Sequence, residues 1–104
     1  MDEDCDCPEV EIPNGALYGE FEIVNKKGLH ARATAKFVQC AARYEADITV
    51  SRCGETVGAT SIMGVLTLGA GIGSTITIVA KGAEAKPALD ALAALIADKF
   101  GEGE

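Results

Sequence analysis

The sequence is poor in aromatic and in basic residues. Its 104 residues include no tryptophan, two tyrosines and three phenylalanines, so the core must consist mainly of alanine, valine, isoleucine and leucine. Nine lysines and arginines stand against sixteen acidic residues, and the net charge of −7 argues against a protein that binds nucleic acid by neutralising phosphates. The length and the 48% of hydrophobic residues indicate one globular domain.

A secretory signal and a membrane-spanning run are also missing from the sequence. The N-terminus has no basic segment followed by an apolar one. The long uncharged stretch at residues 56–80 is interrupted by five glycines and seven serines or threonines. Without a secretory signal, the four cysteines (5, 7, 40 and 53) are expected to be free thiols. We therefore predict a cytoplasmic protein that does not associate with a membrane.

Acidic residues are concentrated at the N-terminus. Six of them lie within residues 1–18, which contain no lysine or arginine, whereas the rest of the chain has a net charge of −1. This pattern predicts an acidic flexible extension over residues 1–17 and a folded domain over residues 18–104. Cys5 and Cys7 supply two soft ligands, which do not complete a tetrahedral site, and no metal is predicted.

The hydrophobic periodicity predicts an α+β fold. Alternating segments indicate strands and three- to four-residue spacings indicate helices. In chain order we expect a strand at 17–25, a helix at 31–44, strands at 47–52 and 55–60 joined by a turn at Cys53-Gly54, a short helix at 61–68, a strand at 74–81 and a helix at 84–100. This βαββαβα order predicts an open-faced sandwich, in which a four-stranded antiparallel sheet carries its helices on one face.

The single histidine, His30, lies where a loop meets the start of a helix. A histidine at this place is often only a helix cap. However, the backbone N–H groups from Ala31 onward have no partner within the helix, and the helix dipole is positive there. Arg32 adds a guanidinium that can bind phosphate oxygens through two donors. No acidic residue occurs between positions 25 and 44, so the pattern favours a histidine that carries a phosphoryl group.

Two motifs resemble those of a known family. Residues 28–32 (GLHAR) resemble the active-site signature of HPr, the histidine-containing phosphocarrier family of the phosphoenolpyruvate-dependent phosphotransferase system. Residues 60–69 (TSIMGVLTLG) resemble the regulatory serine segment of the same family. The resemblance extends from about residue 18 to residue 100, and the family's βαββαβα sandwich has the predicted order of elements.

The resemblance implies a phosphoryl relay rather than an enzyme with its own turnover. His30 would accept the phosphoryl group on Nδ1 from phosphorylated enzyme I and pass it to an EIIA-type acceptor. Arg32, together with the backbone of Ala31 and Arg32, would stabilise the phosphorylated state. No cofactor is implied, and a small relay protein that docks with several partners in turn is expected to be a monomer.

The second motif implies regulation and docking. Ser61 would be phosphorylated by HPr kinase/phosphorylase, and Ile62 and Met63 would form part of the apolar surface that docks enzyme I and EIIA. The chain departs from the family pattern at Ala33, where many members have proline. Alanine is a good helix former, so we expect the helix to persist.

Three alternatives stay open at this level. The chain could be a regulatory binding module that acts when Ser61 is phosphorylated and does not need His30. It could also serve a nitrogen-regulatory branch of the same relay instead of sugar uptake. A small-molecule-sensing α+β domain of similar topology is the third alternative, and it predicts no phosphoryl chemistry at either residue.

Overall fold

Four strands and three helices follow one another in the predicted βαββαβα order. The structure, a computed structural model, describes residues 12–101. Its elements are β1 (Leu17–Glu22), α1 (Ala31–Ala42), β2 (Asp47–Arg52), β3 (Glu55–Gly58), α2 (Ile62–Thr67), β4 (Thr75–Lys81) and α3 (Ala85–Ala97), with a 3₁₀ turn at Lys99–Gly101. The predicted α+β fold is confirmed.

The strands form one antiparallel sheet in the order β1-β4-β2-β3. Glu22 at the end of β1 pairs with Thr75 at the start of β4, and Ser51 near the end of β2 pairs with Thr77. The C-terminal ends of β1 and β2 therefore lie at the same end of the sheet. Consequently, the loop that leads to His30 and the hairpin that joins β2 to β3 lie at one end of the molecule.

The core lies between one face of the sheet and the helices. Side chains from the inner face of the sheet, from all three helices and from the segments after β1 and α3 pack there without exposure to solvent; the largest of them are Phe37, Phe100, Ile23, Ile76, Ile78, Leu92, Val50 and Val65. Helix α1 packs against both α2 and α3. This arrangement agrees with the predicted alternation, in which Ile48 and Val50 point inward from β2.

Within residues 12–101, no helix covers the opposite face of the sheet, yet parts of that face are buried. Successive side chains of a strand point to opposite faces, so Ser51 and Val79 point away from the helices, since their neighbours Val50 and Ile78 belong to the core. Ser51 is nevertheless 1% exposed and Val79 5% exposed. Tyr18 on β1, by contrast, is 58% exposed.

The last helix ends earlier than its hydrophobic pattern predicts. The apolar stripe predicted a helix to residue 100, but α3 ends at Ala97, and both Lys99 and Phe100 adopt a φ of 56°. The ring of Phe100 is fully buried, and its carbonyl accepts a hydrogen bond of 2.6 Å from Lys36 Nζ on α1. The buried ring of Phe100 therefore continues the apolar pattern beyond the end of the helix.

The hairpin between β2 and β3 has the predicted turn, but its cysteine is not the free thiol that the sequence predicted. Cys53 and Gly54 have φ values of 47° and 86°, which is typical of a two-residue hairpin turn. The expectation of free thiols is correct for Cys40 and wrong for Cys53, which is disulfide-bonded. Cys53 is exposed in the turn of the hairpin, and Cys5 and Cys7 lie outside the described residues.

Two leucines test how much stability the core provides. Leu92 on α3 is fully buried, whereas Leu17 on the edge strand is 39% exposed. Leu92→Ala is expected to lower the free energy of unfolding by about 2–5 kcal/mol, because it removes packed methyl groups and leaves a cavity. The same change at Leu17 should cost less than about 1 kcal/mol. Urea denaturation of both variants measures the difference, and equal losses would contradict the assignment of the core.

Candidate functional site

The imidazole of His30 lies over the first turn of α1. His30 is the N-cap residue, with extended backbone angles (φ −75°, ψ −179°). Its Nδ1 accepts a hydrogen bond from the backbone N–H of Arg32 at 3.3 Å. The residue is half-buried, so the ring is held at the surface and is not turned into the core.

The start of α1 concentrates hydrogen-bond donors beside this ring. The first bond within the helix runs from the N–H of Thr34 to the carbonyl of His30 at 2.8 Å, so the N–H groups of residues 31–33 have no carbonyl four positions back in the helix. The first turn contains no acidic residue, and Ala31 and Arg32 are exposed. These donors and the helix dipole favour a negative group at this position.

A short closed loop presents His30 to the helix. The side chain of Asn25 is fully buried, and its Nδ2 donates to the carbonyl of Gly28 at 2.8 Å. The N–H of Gly28 donates in turn to the carbonyl of Asn25 at 3.1 Å. No role for Asn25 was predicted, although asparagine at the first and glycine at the fourth position are typical of a β-turn.

Gly28 packs this loop against the segment that precedes β4. It has a φ of +67°, and a Cβ atom there would lie 2.6 Å from the carbonyl oxygen of Ala70. That same oxygen accepts a hydrogen bond of 2.8 Å from the N–H of Leu29. The glycine-rich segment at residues 69–73 therefore forms the surface against which the His30 loop packs.

Thr34 fastens the first turn of α1 to the loop. It is fully buried, and its Oγ1 donates to the carbonyl of Leu29 at 3.1 Å. Ala33 beside it is also fully buried, and α1 continues through this position to Ala42. The prediction that the helix persists with alanine at position 33 is confirmed.

Ser61 caps the N-terminus of α2. Its Oγ accepts a hydrogen bond from the N–H of Gly64 at 3.1 Å, and the residue is exposed. The next two side chains are exposed apolar groups: Ile62 is 51% and Met63 69% exposed. Helix α2 lies beside α1, so the two motifs occupy neighbouring helices.

Metal binding and membrane spanning have no counterpart in the described structure. Within residues 12–101, no group of histidine, cysteine and acidic side chains could hold a metal ion. In the same part of the chain, no helix has both the length and the apolar character needed to cross a bilayer.

The comparisons with known proteins agree on one family. Residues 18–98 match the family described as PTS-HPr, PTS HPr component phosphorylation site. The phosphocarrier protein HPr of Cupriavidus necator is 55% identical over 88 residues, which cover 85% of this chain and 99% of the relative. The phosphocarrier protein NPr of Shewanella violacea is 45% identical over 86 residues and covers 83% of this chain and 94% of its own.

A solved structure supports the same relationship. The crystal structure of a phosphocarrier protein HPr from Bacillus anthracis superposes with a TM-score of 0.77 at 46% identity. The superposition covers 80% of this chain and 99% of the other.

Two glycines with positive φ test the packing of the His30 loop. Gly15 has a φ of +83° with no atom within 4 Å of an added Cβ, whereas an added Cβ at Gly28 would collide with the Ala70 carbonyl. Gly15→Ala should therefore cost only backbone strain of about 1 kcal/mol. Gly28→Ala combines that strain with overpacking and should cost about 2–4 kcal/mol. Thermal or urea unfolding compares the two variants; similar losses would show that the loop does not rest on residues 69–73.

Proposed function

The chain belongs to the HPr family of phosphocarriers of the phosphotransferase system, and we propose that it carries the phosphoryl group on His30, which receives it from phosphorylated enzyme I and passes it to an EIIA-type acceptor. A phosphocarrier of this system interacts with the system's enzymes as a relay protein and has no turnover of its own. The observation that carries the assignment to His30 is the hydrogen bond from the Arg32 N–H to Nδ1, at the start of a helix without acidic residues.

Transfer at this site needs few rearrangements. The lone pair of Nδ1 attacks the phosphorus atom, a nitrogen–phosphorus bond forms, and the bond between phosphorus and the donor breaks with its electron pair leaving on the donor. The Arg32 N–H that pointed at Nδ1 then lies beside the new phosphoryl oxygens. The backbone N–H donors that orient the unphosphorylated imidazole thus stabilise the negatively charged phosphohistidine.

Charge around the site supports the same role. Arg32 is exposed in the first turn, where its guanidinium can reach phosphate oxygens, and Lys26 and Lys27 are exposed in the preceding loop. The protein as a whole has a net charge of −7, so this positive patch is local. A phosphoryl group is therefore attracted to the His30 end of the molecule rather than to the surface in general.

The exposed N-cap serine supports a second, regulatory site. Phosphorylation of Ser61 by an HPr kinase/phosphorylase would put about two negative charges next to Ile62 and Met63. Both side chains are more than half exposed and form an apolar docking surface for enzyme I and EIIA. The added charge weakens docking through repulsion and desolvation, and no change of fold is needed.

The wider setting of the relay is part of the proposal. Sugar uptake is the proposed pathway, and the NPr relative favours a nitrogen-regulatory branch as the second candidate. We propose that residues 18–104 form the phosphocarrier domain, with residues 1–17 as its extension, and that the protein is a cytoplasmic monomer.

The phosphoryl site can be tested directly because the chain has one histidine. Incubation with phosphoenolpyruvate and enzyme I should add about 80 Da, the mass of one phosphoryl group, in a form that is labile in acid and stable in base. Intact-protein mass spectrometry detects the adduct. His30→Ala should show none, and an adduct that persists in this variant would refute the assignment.

Arg32→Ala tests the contribution of the guanidinium to phosphorylation of His30. Loss of a charge-assisted contact worth about 1.5–3 kcal/mol should slow phosphorylation about 10- to 100-fold without abolishing the adduct. Arg32→Lys should recover part of the rate, because it keeps the charge and loses the paired donors. An unchanged rate in Arg32→Ala would remove Arg32 from the site.

Ser61 offers two variants that differ in charge and share the capping function. Aspartate and asparagine are equally good N-cap residues, so both should preserve α2. Ser61→Asp should slow phosphotransfer from enzyme I by about 3- to 10-fold, with relief at high salt, because it places a charge at the docking surface. Ser61→Asn should behave like the unmodified protein. Equal rates for both variants at low salt would exclude an electrostatic effect at this position.

A further inference from the structure

The groove between α1 and α3 lies away from the phosphoryl site. Arg43, which lines one end of the groove, caps the C-terminus of α1, whereas His30 caps its N-terminus. We propose that this groove binds a medium-chain aliphatic carboxylate, with the carboxylate on Arg43 and the aliphatic chain along α3. The inference is independent of phosphoryl transfer at His30.

The groove has the size of a small-molecule site. Its volume is about 620 Å³, and pockets that bind small molecules usually measure about 300–1,000 Å³. One face of each helix lines it, from Lys36 to Arg43 on α1 and from residue 91 to Asp98 on α3. The groove is open to solvent, so a ligand can enter it without a change of fold.

The two helices that form the groove run antiparallel. Lys36 on α1 donates to the carbonyl of Phe100, beyond the end of α3, at 2.6 Å. At the other end, the N–H of Glu45, beyond the end of α1, donates to the carboxylate of Glu84, the N-cap residue of α3, at 2.7 Å. One end of the groove therefore lies at Lys36, beside the last turn of α3, and the other lies at Arg43, beside an earlier turn.

The lining of the groove has a net positive charge. Lys36 and Arg43 stand against one carboxylate, that of Asp98. Within residues 12–101, neither cation forms an ion pair. Asp98 and Lys36 share one end because the helices are antiparallel, so the uncompensated charge is at the Arg43 end. A guanidinium offers paired N–H donors that match a carboxylate, and a bound carboxylate would provide the partner that Arg43 lacks there.

The middle of the groove is apolar. Ala94 and the half-buried Leu95 line it from α3, and the thiol of Cys40 lines it from α1. Burial raises the pKa of the Cys40 thiol, and the nearby charge of Arg43 opposes that shift. The thiol is therefore neutral and packs as a small apolar group. An aliphatic chain laid along this part of the groove removes apolar surface from water on both sides.

The length of the groove favours a monocarboxylate of moderate length. Lys36 and Arg43 are seven residues apart, which corresponds to about 10.5 Å along the helix. An extended chain of eight carbon atoms spans about 8 Å. Octanoate bound to Arg43 therefore passes Cys40 and ends before Asp98. The carboxylate of Asp98 disfavours a second acid group at that end, so a dicarboxylate fits less well.

Alkylation of Cys40 in the full-length protein reports whether octanoate occupies the groove. Trypsin cleaves after Lys36 and Arg43, so the peptide 37–43 contains Cys40 as its one cysteine, and mass spectrometry measures its labelling by iodoacetamide. Octanoate should slow this labelling at least fivefold, with half of the effect at about 1 mM, a typical affinity for a ligand of this size. Octan-1-ol and octylamine share the chain but lack the carboxylate, and should protect little at the same concentration.

Two pairs of variants test the charge and the position of the site, each variant being compared with itself without octanoate. Arg43→Gln should raise the half-effect concentration about tenfold, because a charge-assisted contact is lost. Lys81→Gln removes a charge on β4 and should leave it unchanged. Ala94→Glu places a carboxylate within the groove and should abolish protection. Ala97→Glu, at an exposed position of α3 outside the groove, should retain it.

The contrary outcomes are distinct from those of the phosphorylation experiments. Labelling of Cys40 that octanoate leaves unchanged or accelerates would refute binding in the groove. Equal protection by octan-1-ol or octylamine, or an unchanged half-effect concentration in Arg43→Gln, would refute recognition of the carboxylate. Equal behaviour of Ala94→Glu and Ala97→Glu would refute the position of the site. His30→Ala should bind octanoate like the unmodified protein, and loss of binding in this variant would contradict a separate site.

Discussion

The His30 site depends on the backbone N–H groups at the start of α1, which have no hydrogen-bond partner within the helix. A helix always begins with donors that it cannot satisfy itself, and here the Arg32 N–H is directed at Nδ1 of His30 over 3.3 Å. The contact is long for a hydrogen bond and contributes little stability. The contact matters because it orients the imidazole. A negative group bonded to Nδ1 then lies beside several N–H donors and the positive end of the helix dipole.

Contacts elsewhere in the fold hold the His30 loop in position at the start of α1. The carbonyl of Ala70 receives the N–H of Leu29, and the buried Asn25 closes the loop on Gly28. These contacts come from two separate parts of the chain, residues 25–29 and Ala70, which the antiparallel sheet brings to one end because β1 ends where β4 begins. At the opposite end, Glu84 accepts the N–H of Glu45 at 2.7 Å and ties the start of α3 to the end of α1. The site therefore rests on a loop anchored in the core.

Sequence patterns predicted the elements well, because burial on one face leaves a periodic signal. They also predicted that His30 and Ser61 stand at helix starts, with Arg32 in the first turn of α1, as the structure has them. What the patterns could not provide depends on contacts distant in sequence. The ring of Phe100 continues the apolar stripe although the backbone has left the helix, and the loop that contains Asn25 packs against Ala70, which is far along the chain. Cys53 at the hairpin turn is disulfide-bonded, which no periodicity can show.

Alanine instead of proline at position 33 affects both the rigidity of the first turn of α1 and the number of backbone N–H donors there. Proline, common in the family at this position, would fix one backbone angle of the first turn and supply no N–H. Alanine retains the N–H, which precedes the first helical bond, that of Thr34. The chain therefore has one more donor at the helix start. The rigidity that proline would add is supplied instead by the side chain of Thr34, which is fully buried and bonded to the carbonyl of Leu29. Helix α1 can thus begin in a fixed position without proline.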